Sequence, residues 1–191
     1  PHDEPLKAAA ARAVAACRAH SIRKIAFAVH HKLAALKAAA ILEGAMLGDF
    51  VDNRFKSKDE NNRKALQLIF AVPAEEKKET KKLLDRTQLV SESVNHAREL
   101  INAPHHVLTP QTMAEYAQDL AKKHKMKCEV LDEKQLRRQG YELIWNVGRG
   151  SEYPPRLIVL QYTPKNREIR EHIGLVGKGI TFDTGGLSIK D

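Results

Sequence analysis

The chain has 191 residues, 42% of them hydrophobic and 29% charged, with a mean hydropathy of -0.46 and a formal net charge of +8. That is enough apolar material for one large domain or two small ones, and no apolar run reaches the ~20 residues that span a bilayer. Two cysteines far apart, Cys17 and Cys128, exclude a disulfide framework and a CxxC-type zinc site, and they fit a reducing compartment such as the cytoplasm.

The start, Pro1-His2-Asp3-Glu4-Pro5, has neither the basic nor the apolar region of a signal peptide, and the missing initiator Met suggests processing or an incomplete sequence. Glu4 to Arg18 is Ala-rich with helical spacing. Ile25 to Val29 reads as a short buried strand. His31 to Leu47 reads as a second helix with Leu33, Leu36, Ala40, Ile41 and Ala45 on one face, ended by Gly48-Asp49. The polar run from Lys56 to Asn62 is a surface loop, and Leu66 to Val72 is a second strand closed by Pro73.

Glu75 to Ile101 is one long helix or two joined end to end, its apolar side drawn from Leu83, Leu84, Val90, Val94, Ala97 and Ile101, and it stops at Asn102-Ala103-Pro104. It is the expected connection between two domains. Beyond it, Thr109-Pro110 sets an N-cap with proline in the first turn, opening a helix to about Lys125. Lys127 to Leu131 is a strand, Asp132 caps a short helix ending at Gly140, Arg156 to Tyr162 is a strand, and Ile173 to Val176 begins another. Trp145, with Ile144 and Val147, and Cys128 are expected in the core. Strands alternating with helices argue for an α/β fold. The expected division is 1-74, a first α/β domain; 75-101, a linker helix; and 102-191, a second α/β domain.

The basic residues could suggest nucleic-acid binding. They lie in helical stretches, however. Lys77, Lys78, Lys81 and Lys82 sit beside Glu75, Glu76 and Glu79, and aromatic residues are only 5% of the chain, so solvated helix faces are expected instead. The alternative function is a non-catalytic interaction module that uses those helices on nucleic acid or partner subunits. The pairs His30-His31 and His105-His106 match no HExxH-type spacing, and adjacent histidines point different ways on regular structure.

The chemistry concentrates in the last stretch, Gly174-Leu175-Val176-Gly177-Lys178-Gly179-Ile180-Thr181-Phe182-Asp183-Thr184-Gly185-Gly186-Leu187-Ser188-Ile189-Lys190-Asp191. A strand runs into a glycine-flanked lysine, then an aspartate, a Gly-Gly turn and a second lysine. Glycines at 177, 179, 185 and 186 permit positive φ or close backbone approach. Charged groups at the end of a buried strand are costly unless paired or bound to an ion. The Walker phosphate-loop spacing is absent. On spacing alone, a bound ion and a structural Lys178–Asp183 salt bridge are both open.

Val176 to Lys190 closely resembles the signature of the leucine (cytosol) aminopeptidase family, and Ala97 to Pro104, Leu108-Thr109-Pro110 and Leu157 to Tyr162 resemble segments leading to it. The resemblance implies a metalloaminopeptidase, a hydrolase that releases N-terminal amino acids from peptides with two divalent ions, zinc or manganese. It implies Lys178 and Asp183 as metal ligands. The Lys178 amine would bind in its neutral form, its proton affinity lowered by the cations. Lys190 would be catalytic, polarising the scissile carbonyl and stabilising the oxyanion. Peptides with a free N-terminus would be the substrates, the location cytoplasmic, and the assembly a homo-hexamer. The family's further metal carboxylates, and the arginine that holds a bicarbonate, would lie beyond Asp191. The chain is therefore expected to be cut within the catalytic domain and inactive by itself.

Overall fold

The computed structural model describes residues 3–30, 33–56, 65–164, 171–183 and 189. Two compact units result, Pro1–Asn102 and Ala103–Asp191. The first contains α1 (Glu4–Ala19), β1 (Lys24–Ala28), α2 (Ala34–Gly48), β2 (Gln67–Ala71), a 3-10 turn (Ala74–Glu76) and α3 (Lys77–Asn102). The second contains α4 (Pro110–His124), β3 (Lys127–Leu131), α5 (Glu133–Arg138), α6 (Glu142–Gly148) and β4 (Leu157–Gln161).

In the first unit, α1 starts with Pro5 in its first turn, where the missing N–H costs nothing, and places Glu4 in the first turn and Arg18 in the last, matching the helix dipole. Its alanine-rich side packs on α2 at unusually short range. A Cβ on Gly44 would fall 2.2 Å from the Lys7 carbonyl oxygen, and one on Gly48 would fall 2.5 Å from the Ala11 Cβ. Polar pairs flank this contact: Lys7 Nζ donates to Glu43 Oε1 at 2.9 Å, and Arg18 donates to both Asp49 carboxylate oxygens at 2.8 and 2.6 Å. The forked Arg18–Asp49 pair is half-buried, so it is screened less than a surface ion pair.

β1 and β2 pair in parallel with Phe27 opposite Phe70, and those two rings stack 5.7 Å apart. Only one face of each strand is covered: Ile25, Phe27, Leu68 and Phe70 turn toward the core of Ala10, Val14, Val29, Ala34, Ala38, Ile41 and Ala45. Parallel strands need a crossover, and α2 supplies it. Of the expected face of α2, Ala40, Ile41 and Ala45 are buried and the two leucines are not. Ala34, Ala38, Ile41 and Ala45 face inward, whereas Leu33 and Leu36 are 63% and 51% exposed. Alanines let α1 come close, and larger leucines at those positions would hold it away.

α2 lacks a local N-cap. Leu33 stands at that position in the left-handed region (φ 65) and makes no side-chain cap bond. Glu76 takes over from a distance: its Oε2 accepts the Ala35 N–H at 2.9 Å. At the other end, Arg98 Nη1 donates to the Leu47 carbonyl at 2.9 Å and Asn95 Nδ2 donates to the Met46 carbonyl at 3.3 Å. A carboxylate at the N-terminus and a guanidinium at the C-terminus both oppose the helix dipole. Glu76→Ala and Arg98→Ala are each expected to lower the stability of the first unit by about 1–2 kcal/mol. Thermal melts of the two single variants and the double variant check this; an unchanged melting temperature in both singles would remove the capping role.

α3 also differs from expectation. The side turned toward α2 is mostly polar, with Thr80 and Ser91 buried, while Val90, Val94 and Ile101 are 52%, 38% and 81% exposed. Of the expected apolar side, Leu84 packs against the core. The end contacts at Glu76, Asn95 and Arg98 fix which side faces inward. The helix packs along α2 within the first unit, and its last residue, Asn102, is also that unit's last.

In the second unit, two capping boxes set the helix starts: Thr109 with Thr112 for α4, and Asp132 with Gln135 for α5. Ala114, Ala117 and Ala121 turn one side of α4 inward, and Leu131 and Leu136 complete the core. β3 and β4 pair antiparallel, Cys128 opposite Leu160. Gly140, at φ 77, ends the α5 segment. Cys128 is half-buried rather than fully enclosed, because only one face of this two-stranded ladder is covered. Trp145 is not a core residue: it is half-buried beneath the Arg137 guanidinium, 5.2 Å from its ring centre, and Val147 is 74% exposed. Among the described residues, no helix is long and apolar enough to cross a membrane.

The strand expected at Ile173 to Val176 is not formed. Ile173, Leu175 and Val176 are 89%, 94% and 102% exposed, and no described strand pairs with them. An apolar run signals burial, but a buried strand also needs ladder partners and a covering layer, and neither is present among the described residues.

Candidate active site

The site is built from two parts of the second unit. The first is a rigid corner in front of α4. The Pro104 carbonyl accepts the N–H groups of Val107 and Leu108 at 2.8 and 2.9 Å. The Thr112 hydroxyl donates to the Val107 carbonyl at 2.8 Å and accepts the Thr109 N–H at 2.9 Å, while the Thr112 N–H bonds to Thr109 Oγ1 at 3.2 Å. The Pro104 turn is thereby tied to the capping box of α4. His105 projects from this corner.

The second part is the segment 171–183, which has no regular secondary structure. Lys178 and Asp183 both lie exposed on it, with Thr181 half-buried between them. The segment meets the corner at two places. The Phe182 ring lies 4.6 Å from the His105 ring, centre to centre, at an angle of 35°. A Cβ on Gly179 would lie 3.6 Å from the Met113 Cε and Sδ, an ordinary van der Waals contact. Both places lie between Lys178 and Asp183, each next to one of them.

Lys190, Gly185 and Gly186 lie outside the described residues. Gly177 has open space where its Cβ would be, and neither Gly177 nor Gly179 has positive φ. The expected need for glycine at 177 and 179 therefore does not arise from neighbours among the described residues. His105 and His106 are mutually edge-on, their ring centres 5.6 Å apart, as expected of neighbours pointing different ways. Sequence reasoning missed the His105–Phe182 contact; nothing in the local pattern links residues so far apart. The lysines of the first α3 turns, Lys77, Lys78, Lys81 and Lys82, are all exposed.

The donor chemistry can be compared with what paired divalent ions need. A neutral amine and a carboxylate suit a divalent ion in kind. They fall short in number, since even one four-coordinate ion takes about three or four protein donors. Among the described residues, no three His, Cys, Asp or Glu side chains come together to hold a metal. The described donors therefore do not complete a site for a pair of ions.

Comparison with known proteins gives two family models in chain order. The N-terminal domain of the cytosol aminopeptidase family matches residues 2–59, and the catalytic domain of the same family matches residues 95–191. A probable cytosol aminopeptidase of Solibacter usitatus is 39% identical over 179 residues, covering 93% of this chain and 36% of the relative. One from Streptomyces avermitilis is 41% identical over 186 residues, covering 95% and 35% respectively. Among solved structures, a point mutant of tomato leucine aminopeptidase superimposes with a TM-score of 0.81 at 30% identity, over 95% of this chain and 37% of that one. The bottromycin maturation enzyme BotP in complex with Mn gives 0.70 at 28% identity, over 84% and 33%. The chain thus spans about a third of the length of the relatives it matches.

Proposed function

We propose, on the premise that this chain belongs to the cytosol aminopeptidase family, that the complete protein removes N-terminal amino acids from peptides by two-metal-assisted hydrolysis. The observation that carries the reading is the ordered match of both family domains, ending on the stretch that contains Lys178 and Asp183. Lys178 and Asp183 are proposed as metal ligands and Lys190 as the cation that stabilises the developing oxyanion. When bound, a pair of zinc or manganese ions would supply a hydroxide near neutral pH and polarise the scissile carbonyl; the similarity to a Mn-bound enzyme supports manganese. Bicarbonate as base, a homo-hexameric assembly and a cytoplasmic location belong to the same proposal. So does the division into an N-terminal domain over 1-74, a linker helix over 75-101 and catalytic residues from 102 onward.

The 191-residue chain by itself is proposed to be inactive, because two ligand side chains bind an ion pair weakly. With manganese and a leucine anilide, it is expected to show no hydrolysis above background, while the complete protein turns the substrate over. Clear turnover by the 191-residue chain would overturn the inactivity. An inert complete protein, tested with manganese and with zinc, would overturn the peptidase reading.

A further inference from the structure

The segment that bears Lys178 and Asp183 has no strand ladder to hold it, yet it needs a fixed place if its side chains are to serve one site. The corner at Pro104–Leu108 is the opposite case, with its backbone closed on itself and bonded into the cap of α4. His105 is the side chain that reaches from the fixed part to the loose one, and the ring it meets, Phe182, is the immediate neighbour of Asp183. Met113, one turn into α4, lies close to the same segment at Gly179, next to Lys178, where an added Cβ would stand 3.6 Å from its Cε and Sδ. Both approaches thus fall inside the stretch between the proposed ligands, one beside Lys178 and one beside Asp183.

We propose that His105 is a positioning residue: its ring, packed on Phe182, holds the Lys178–Asp183 segment at a fixed place against the start of α4. It acts through Phe182 and touches neither metal nor substrate. The role of those two ligands rests on the peptidase reading; the mechanical hold does not. Packing needs a flat apolar ring rather than a titrating one, so His105→Phe should preserve it and His105→Ala should lose it. An aromatic pair of this kind favours the docked segment by a factor of about three to ten.

Two measurements separate the hold from the peptidase reading. In the 191-residue chain, trypsin cleavage after Lys178 is followed by mass spectrometry, with cleavage after Arg86 in α3 as an internal reference. His105→Ala should raise the Lys178 rate about threefold to tenfold, His105→Phe should leave it near the unsubstituted rate, and the Arg86 rate should stay constant in all three. Equal Lys178 rates in all three chains would overturn the hold. So would a rise shared by Lys178 and Arg86, which would mean general unfolding.

In the complete protein, His105→Ala should weaken manganese binding, read by equilibrium dialysis, by a similar factor and lower kcat with KM unchanged, and His105→Phe should restore both. Unchanged manganese affinity beside a changed cleavage rate would overturn the positioning role toward the ligands. A complete protein with neither manganese binding nor hydrolysis would fail the peptidase reading and leave the cleavage comparison standing.

Discussion

Gly44→Ala is expected to lower the stability of the first unit by about 3 kcal/mol or more. Two effects oppose each other at this site. Alanine is the better helix former by about 1 kcal/mol, which favours the substitution inside α2. Against it, the new Cβ would sit 2.2 Å from the Lys7 carbonyl oxygen, 2.5 Å from its Cα and 2.7 Å from its carbonyl carbon. All three are backbone atoms of α1 and cannot swing aside as a side-chain tip does, so α1 as a whole must move. Moving it would break the Lys7–Glu43 and Arg18–Asp49 bonds as well. The steric cost wins, and the melting temperature of a unit this size should fall by more than about 12 °C. Gly150→Ala is the comparison, since nothing lies within 4 Å of a Cβ there. Melts of the two variants that moved together would show that close helix approach at Gly44 is not what matters.

Asp183→Asn in the complete protein is expected to reduce kcat/KM on a leucine anilide by more than the ~10–100-fold typical of groups that only support a metal ligand. An amide is a poorer donor to a hard cation and carries no charge, so bound manganese should fall in parallel. Lys178→Ala should show the same coupled loss of metal and activity. Lys190→Ala should differ: manganese is retained and kcat falls by about 10²–10³, as when an oxyanion donor is removed. Manganese content measured beside kcat decides between the roles. If Asp183→Asn kept full activity and full metal content, the proposed ligand set would be wrong.

Where chemistry is local, the sequence was readable. Thr109, Asp132 and Gly140 each act on their own helix end, and all three stand where cap and stop residues were expected. The strands Lys24–Ala28, Gln67–Ala71, Lys127–Leu131 and Leu157–Gln161 were legible from short apolar runs, and the long α3 from its length and its proline-bounded ends.

The inner faces of α2 and α3 were only partly legible. In α2, alanines fill so much of the helix that apolar spacing barely distinguishes one side from another. The close approach at Gly44 then selects the alanine side over the leucines at 33 and 36. In α3, partners distant in sequence decide the matter: Glu76 caps a helix that begins 42 positions earlier, and Arg98 closes one that ended 50 positions before it. The Val176 to Lys190 motif was enough to point to the family. Its spacing said nothing of what would lie beside Phe182, because the His105 contact joins residues 77 positions apart.

The seam between α2 and α3 has a thermal consequence. Its inward side is built largely from Thr80, Ser91, Asn95 and Arg98, with Leu84 as an apolar contact. Polar surface lowers the heat capacity when it is exposed, whereas apolar surface raises it. Lifting α3 from α2 therefore carries a smaller heat-capacity change than an all-apolar seam would, and cooling weakens it less than it weakens the alanine-lined core beneath it.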